Sequence, residues 1–538
     1  MKRYINILMV ALATMMTSCL TEDPKDQLYE EDIYNNANNI YINAVAVLYN
    51  YIGGSADSEG LQGTCRGIYD YNTLTTDEAM IPIRGGDWYD GGLWTNMYQH
   101  KWSPNDLPLY NTWKYLYKVV VLSNKSLHII DKYSHNLSEE QRVAYEAEVR
   151  ALRALFYYYI MDMYGRVPIV TSYEQPQDEV VQSERSEVFR FIVNELQEVA
   201  ELLPNERSNK MGNYYGRITT PVANFLLAKL ALNAEIYCDD NWTDGVPRNG
   251  KEIFFTVDGE KLNAWQTCIK YCNKLAEVGY RLEDDYSYNF SVHNENSNEN
   301  IFTIPLDKNL YAAQFWYLFR SRHYNHGGAL GGSSENGTSA NISTVLANGY
   351  GTDDVDARFE KNFYAGIVEV DGKPVMMDNG QQLEYFPLEL KLNLTGSPYV
   401  KTAGARMAKY EVDRTSHSDG RQPDNDIVLF RYADALLMKS EAKVRNGEDG
   451  SLELNEVRGR VGMPYREATL ENILKERLLE LVWEGWRRQD MVRFGVYHKS
   501  YDQRVQLADE KNGYTTVFPI PQKSIDLNPK LKQNVGYE

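Results

Sequence analysis

The chain has 538 residues, enough for two or three average domains or one large composite, so a core can form without disulfide staples. Its 56 Lys+Arg against 75 Asp+Glu give a net charge of −19, which excludes a protein built mainly to hold the phosphate backbone of nucleic acid. The 41 tyrosines, with 9 tryptophans and 16 phenylalanines, supply apolar area with polar handles, suited to cores, interfaces and half-wet binding surfaces. Cys19, Cys65, Cys238, Cys268 and Cys272 form no CxxC pair, so neither a structural zinc site nor a disulfide framework is expected.

Lys2 and Arg3 precede a short apolar stretch from Ile5 to Met16, below the roughly 20 residues that span a bilayer. The pattern predicts an export signal over residues 1–18. Small residues lead into Cys19 in a way that resembles the lipobox of bacterial lipoproteins, which marks Cys19 as the lipid-attachment residue. Residues 19–36 then read as a lipidated tether, acidic and interrupted by Pro24.

From residue 37 to 279 the pattern is mainly helical. Ser138 and Gln141 have the spacing of a capping box, and Leu152, Leu155, Phe156, Tyr159 and Met163 make one apolar stripe that Gly165 and Pro168 terminate. A second stripe runs from Val188 to Leu203 and stops at Pro204. Thr220-Pro221 reads as an N-cap with proline at the first helical position, opening a helix whose Ala223, Ala228, Ala231 and Ala234 allow a neighbour to approach closely. Helix pairs of this kind suggest tetratricopeptide-like stacking, although no 34-residue period is present.

Residues 280–425 lose that periodicity to Gly, Asn, Ser and Asp, with a strand-like piece at Ile301 to Pro305. Long irregular regions inside a fold tend to carry function. Helices are expected again at Asp426 to Asn446 and, as one continuous element, at Leu470 to Arg493. The expected fold is mainly α, a tetratricopeptide-like superhelix of helix pairs. Residues 37–279 and 426–538 pack as one composite domain around the loop-rich insertion 280–425.

Four segments together resemble the SusD/RagB family of outer-membrane lipoproteins: Ala147 to Pro168, Gly216 to Leu230, Leu429 to Ala442, and Glu476 to Asp490 followed by Arg493 to Gly495. The ending from Phe518 to Gln533 fits as well. The resemblance implies a non-catalytic, lipid-anchored, cell-surface protein of the outer membrane. Its function would be to capture oligosaccharide or polysaccharide and deliver it to a SusC-like TonB-dependent transporter. Peptide or glycopeptide capture is the alternative within the family, and a glycoside hydrolase with two flanking carboxylates is the alternative outside it. Arg150, Arg153, Glu441, Glu476, Arg477, Glu480, Glu484, Arg487, Arg488 and Asp490 lie on apolar helical stripes, where charges persist only when paired. They read as structural ion-pair networks, not acid/base machinery.

Tyr69 to Glu78 is similar to a family motif that precedes a variable ligand-facing loop. Here Asp77 and Glu78 brace that loop, and glycines from Ile81 to Trp94 turn the backbone around Trp88, Tyr89 and Trp94. Those rings, with Arg84, Asp87 and the nearby Asp90, can stack on sugars and bond their hydroxyls. Trp88 and Trp94 closing a small core is the competing reading. Ile81 and Ile83 stand where starch-binding relatives carry aromatics, a departure from the starch pattern. Family analogy adds Trp316, Tyr317, Arg322 and Tyr324 in the insertion. No cofactor is expected: Asn294 to Asn300 offers oxygens for calcium but lacks EF-hand spacing and reads as a solvated turn, and the histidines do not cluster.

Overall fold

The structure, a computed structural model, describes residues 30–62, 64–310, 315–416 and 423–538. The export signal 1–18, Cys19 and the tether up to residue 29 lie outside the described residues. The fold is mainly helical. Its long helices are α1 (Leu107–Lys132), α2 (Glu139–Tyr164), α3 (Arg185–Val199), α4 (Thr220–Leu232) and α5 (Ala264–Glu277), then α6 (Tyr432–Asn446), α7 (Ser451–Arg460), α8 (Leu470–Leu481) and α9 (Arg487–Arg493). Neighbours in sequence pack against each other: α1 on α2, α2 on α3, α4 on α5, and α6 on α7 and α8. The α5 and α4 helices also pack on α6, so one core runs from Ile40 to Leu531.

The capping box of α2 forms as its sequence predicts, with Ser138 Oγ accepting from Gln141 N and Gln141 returning to Ser138 N, and Gly165 closes the helix at φ 69°. Tyr157, Tyr158 and Tyr159 are all buried. The start of α4 differs by one residue. Thr219 is the N-cap, because Thr220 turns its hydroxyl inward to the carbonyls of Ala200 and Leu203.

Two further boundaries correct the sequence reading. The stretch after Asp426 begins as strand β2 (Ile427–Arg431), antiparallel to β1 (Asn300–Ile304), and becomes helical only at Tyr432. Its run of Ile, Val, Leu and Phe is apolar on both faces, as suits a strand buried on both sides. The helix expected from Leu470 to Arg493 breaks after Leu481. Val482 is extended and Trp483 takes φ 69°, with its backbone N–H on Glu78 and its indole N–H on the carbonyl of Asn362. Lys409 Nζ caps the freed carbonyls of Glu480 and Val482, and Arg431 Nη2 also donates to Glu480 O, placing cations at the negative end of α8.

That junction holds a dense charge network. Arg358 bonds Asp356, Glu476 and Glu480; Arg431 bonds Glu299, Glu480 and Glu484; Arg458 bonds Glu476, and Arg460 bonds Glu299 and Glu480. Every carboxylate here faces at least one guanidinium or ammonium, and those cations hold Glu480 well below the usual carboxylate range despite its burial. Arg477 ties Asp434 to Asp490, and Arg493 ties Glu441 to Asp490. Arg150 and Arg153 both pair with Glu195, joining α2 to α3. These residues carry the fold.

Candidate ligand-binding edge

The helix Ile68–Leu74 and Glu78 are buried and Asp77 is half-buried, and all three acids of this stretch face other elements. Asp70 takes two bonds from Arg320, at 3.1 and 2.6 Å, and Asp77 takes two from Arg487, both at 2.7 Å. Glu78 accepts the N–H of Trp483, and burial pushes its carboxyl up to about 8. The motif therefore pins the base of the loop to the C-terminal helices.

Above this base the chain turns through five left-handed residues: Gly85, Trp88, Asp90, Gly91 and Gly92. Trp88 and Asp90 hold this conformation without being glycine, at a cost of order 1 kcal/mol each. Local bonds offset it. Trp88 Nε1 donates to Glu335 O at 3.0 Å, and Asp90 accepts from Trp94 Nε1 at 2.8 Å and from Arg66 at 3.1 Å. The Trp88 ring lies against Gly337, where a Cβ would sit 2.7 Å from it, so only glycine permits this approach.

The predicted site residues divide into two groups. Arg84, Trp94, Tyr317 and Arg322 are buried. Arg84 donates to the carbonyls of Val400 and Ala403 and to Ser339 Oγ, stitching the loop to the 399–403 segment. Trp94 fills the space under the loop between the guanidinium groups of Arg66 and Arg320, and Tyr317 stacks on Tyr69 with centroids 4.1 Å apart. Arg322 is enclosed, and burial lowers its pKa. The second group reaches solvent: Asp87 and Trp88 are half-buried, while Tyr89 and Tyr324 are 58% and 41% exposed. Trp316 opens the short helix Trp316–Arg320, and its side chain lies outside the description.

Asp87, Trp88 and Tyr324 line a depression of about 440 Å³ that Cys65, Arg66 and Glu335 also bound, while Tyr89 is exposed on the same loop outside this lining. Asp87 accepts from Lys401 at 2.6 Å and from Tyr324 at 3.0 Å, and the bond from Lys401 lowers its pKa. Sequence reasoning missed Lys401 and Glu335. No spacing connects residues 401 or 335 to a loop at 87, and only the fold brings them there. The arrangement offers rigid aromatic surface ringed by hydrogen-bonding groups, which can stack on a sugar ring and orient its hydroxyls.

Among the described residues, no group of three or more His, Cys, Asp or Glu side chains could hold a metal ion. The turn from Asn294 to Asn300 is partly buried, not solvated, because its polar groups are committed internally. Asn294 bonds Asp426 N and O, Ser297 bonds Asn289, and Glu299 takes Arg431 and Arg460.

Two family descriptions match the chain: the SusD family over residues 332–537, and "Starch-binding associating with outer membrane" over residues 31–232. The starch-binding protein SusD of Bacteroides thetaiotaomicron is 24% identical over 541 residues, covering 90% of this chain and 89% of the relative. A SusD-like protein of Bacteroides ovatus is 24% identical over 464 residues, covering 80% and 74%. Among solved structures, surface glycan-binding protein A from Bacteroides thetaiotaomicron in complex with laminarihexaose aligns at TM-score 0.69 and 20% identity, over 92% of this chain and 99% of that one. A SusD-like protein from Bacteroides fragilis aligns at TM-score 0.71 and 18% identity, over 95% and 99%.

Proposed function

Because the chain belongs to the SusD/RagB family of non-catalytic glycan-binding proteins, we propose that it captures oligosaccharide or polysaccharide at the cell surface and passes it to a TonB-dependent outer-membrane transporter. In this reading Cys19 carries the lipid anchor, residues 19–36 form the tether, and the two helical regions 37–279 and 426–538 act as one body carrying the 280–425 insertion. The outer-membrane association in one family description supports this placement.

The observation that carries the reading is the strained, internally bonded loop that packs one side of Trp88 against the core and Gly337 while leaving the ring half-buried in the same hollow as Tyr324, with Tyr89 exposed next to it in the chain. A platform already rigid before binding loses little freedom when a glycan docks. Sugar rings have apolar faces that match exposed aromatic rings, and their hydroxyls match the Asp87–Lys401–Tyr324 cluster. Titration of the purified protein against a panel of polysaccharides and peptides tests the proposal. Binding to at least one glycan, weakened by Trp88→Ala, is the expected result; binding only to peptides would redirect the reading to peptide capture.

A further inference from the structure

A second depression, of about 460 Å³, adjoins the first across Lys401 and is lined by Asn379, Gln382, Glu384, Phe386, Pro398 and Tyr399. Lys401 lines this second hollow, and its ammonium bonds Asp87 at the edge of the first and lies over the Tyr324 ring at 5.5 Å. The bond from Asn325 to Asp378 at 2.9 Å holds the neighbouring hairpin against the Tyr324 helix. The two hollows are therefore joined by one wall.

Their polar groups are in different states. In the first hollow Asp87, Asp90 and the Trp88 indole are all bonded within the protein. In the second, the Gln382 carboxamide, the Glu384 carboxylate and the Tyr399 hydroxyl have no partner among the described residues. The Phe386 and Tyr399 rings lie beside them, 4.9 Å apart. An amide, a carboxylate and a hydroxyl around aromatic surface can donate to and accept from hydroxyl groups, and an apolar ligand would leave them unpaired. Glu384, which no cation meets among the described residues, opposes an anionic ligand, and the Lys401 ammonium on the wall is already held by Asp87.

We infer that this hollow is a second subsite for a neutral oligosaccharide, taking the units beyond those held at Trp88 and Tyr324. The inference rests on the glycan-capture reading. It makes the protein a binder of chains long enough to cross the Lys401–Tyr324 wall, with Gln382, Glu384 and Tyr399 reading hydroxyls on the far side.

The test is calorimetric titration of the purified protein with α-1,4 and β-1,3 gluco-oligosaccharides from disaccharide to octasaccharide. Gln382→Ala and Tyr399→Phe are compared with the unaltered protein; both side chains reach solvent, and the second change removes only a hydroxyl. The expected result is octasaccharide affinity weakened by about threefold to tenfold in each variant, with disaccharide affinity unchanged. Unchanged octasaccharide affinity in both variants would overturn the second subsite while leaving glycan capture intact. Equal or tighter binding of a uronic-acid oligosaccharide of the same length would overturn its neutral specificity. Absence of binding to every glycan by the unaltered protein would overturn capture and subsite together.

Discussion

The α8–α9 junction and the loop edge around Trp88 both concentrate charged and aromatic side chains, yet they use them in opposite ways. At the junction, Glu476, Glu480 and Glu484 are sealed from water and each is met by cations from other elements. At the edge, Asp87, Lys401 and Tyr324 pair at the surface, and the neighbouring Gln382, Glu384 and Tyr399 remain open to solvent. Charge density alone therefore does not mark a binding site. Charges enclosed and matched on all sides hold elements together, whereas polar groups left in water beside immobilised rings are available to a ligand.

Substitutions can break this contrast, beginning with the largest effect. Glu480→Ala removes the one carboxylate that Arg358, Arg431 and Arg460 all bond, with an expected loss of about 3–5 kcal/mol, read as a lower denaturation midpoint or failure to accumulate folded protein. Trp94→Ala opens a cavity beneath the loop and is expected to cost about 3–5 kcal/mol of stability. Tyr89→Ala lies at the other extreme: its ring is exposed, so thermal stability is expected to stay unchanged while glycan affinity falls by about threefold to tenfold.

Acidity gives a subtler test at the point where the two regions meet. Glu78 joins the base of the loop to Trp483, and burial raises its folded-state pKa from the ordinary value to about 8. The folded state therefore holds a proton that the unfolded chain releases near its ordinary pKa, so stability from this group declines as pH rises from about 4.5 to about 8. Glu78→Gln keeps an acceptor for the Trp483 N–H and removes the titration. Its melting temperature is expected to match the unaltered protein at pH 5 and exceed it at pH 8. The smallest effect is assigned to Arg66→Ala, whose pairs with Asp57 and Asp90 are partly exposed and contribute about 0–1 kcal/mol.

Much of the helical scaffold was legible because local signals and packing agree. The Ser138–Gln141 box, the apolar stripe of α2 and the Gly165 cap all describe the same helix, and the charged residues on its stripe find Glu195. The break after Leu481 was not legible. Apolar spacing continues through Val482, and the reason to stop is supplied by Lys409, Arg431, Asn362 and Glu78 from distant parts of the chain. The site was partly legible for the same reason. Glycines flagged the loop, but Gly337, Glu335 and Arg320 from distant segments decide that its Trp94 goes to the core while Trp88 stays at the edge, and in the insertion Tyr317 stacks on Tyr69 while Tyr324 stays exposed.

The central claim, that the exposed aromatics capture glycan while the charge networks serve only the fold, is tested most directly by one titration. The Tyr89→Ala/Tyr324→Ala double variant and the unaltered protein are titrated with the same glycan, with thermal melts run alongside. The expected result is a nearly unchanged melting temperature, because both rings are exposed and the lost Tyr324 bond to Asp87 lies at the surface, with an affinity reduced by about tenfold or more. Full affinity in the folded double variant would contradict it.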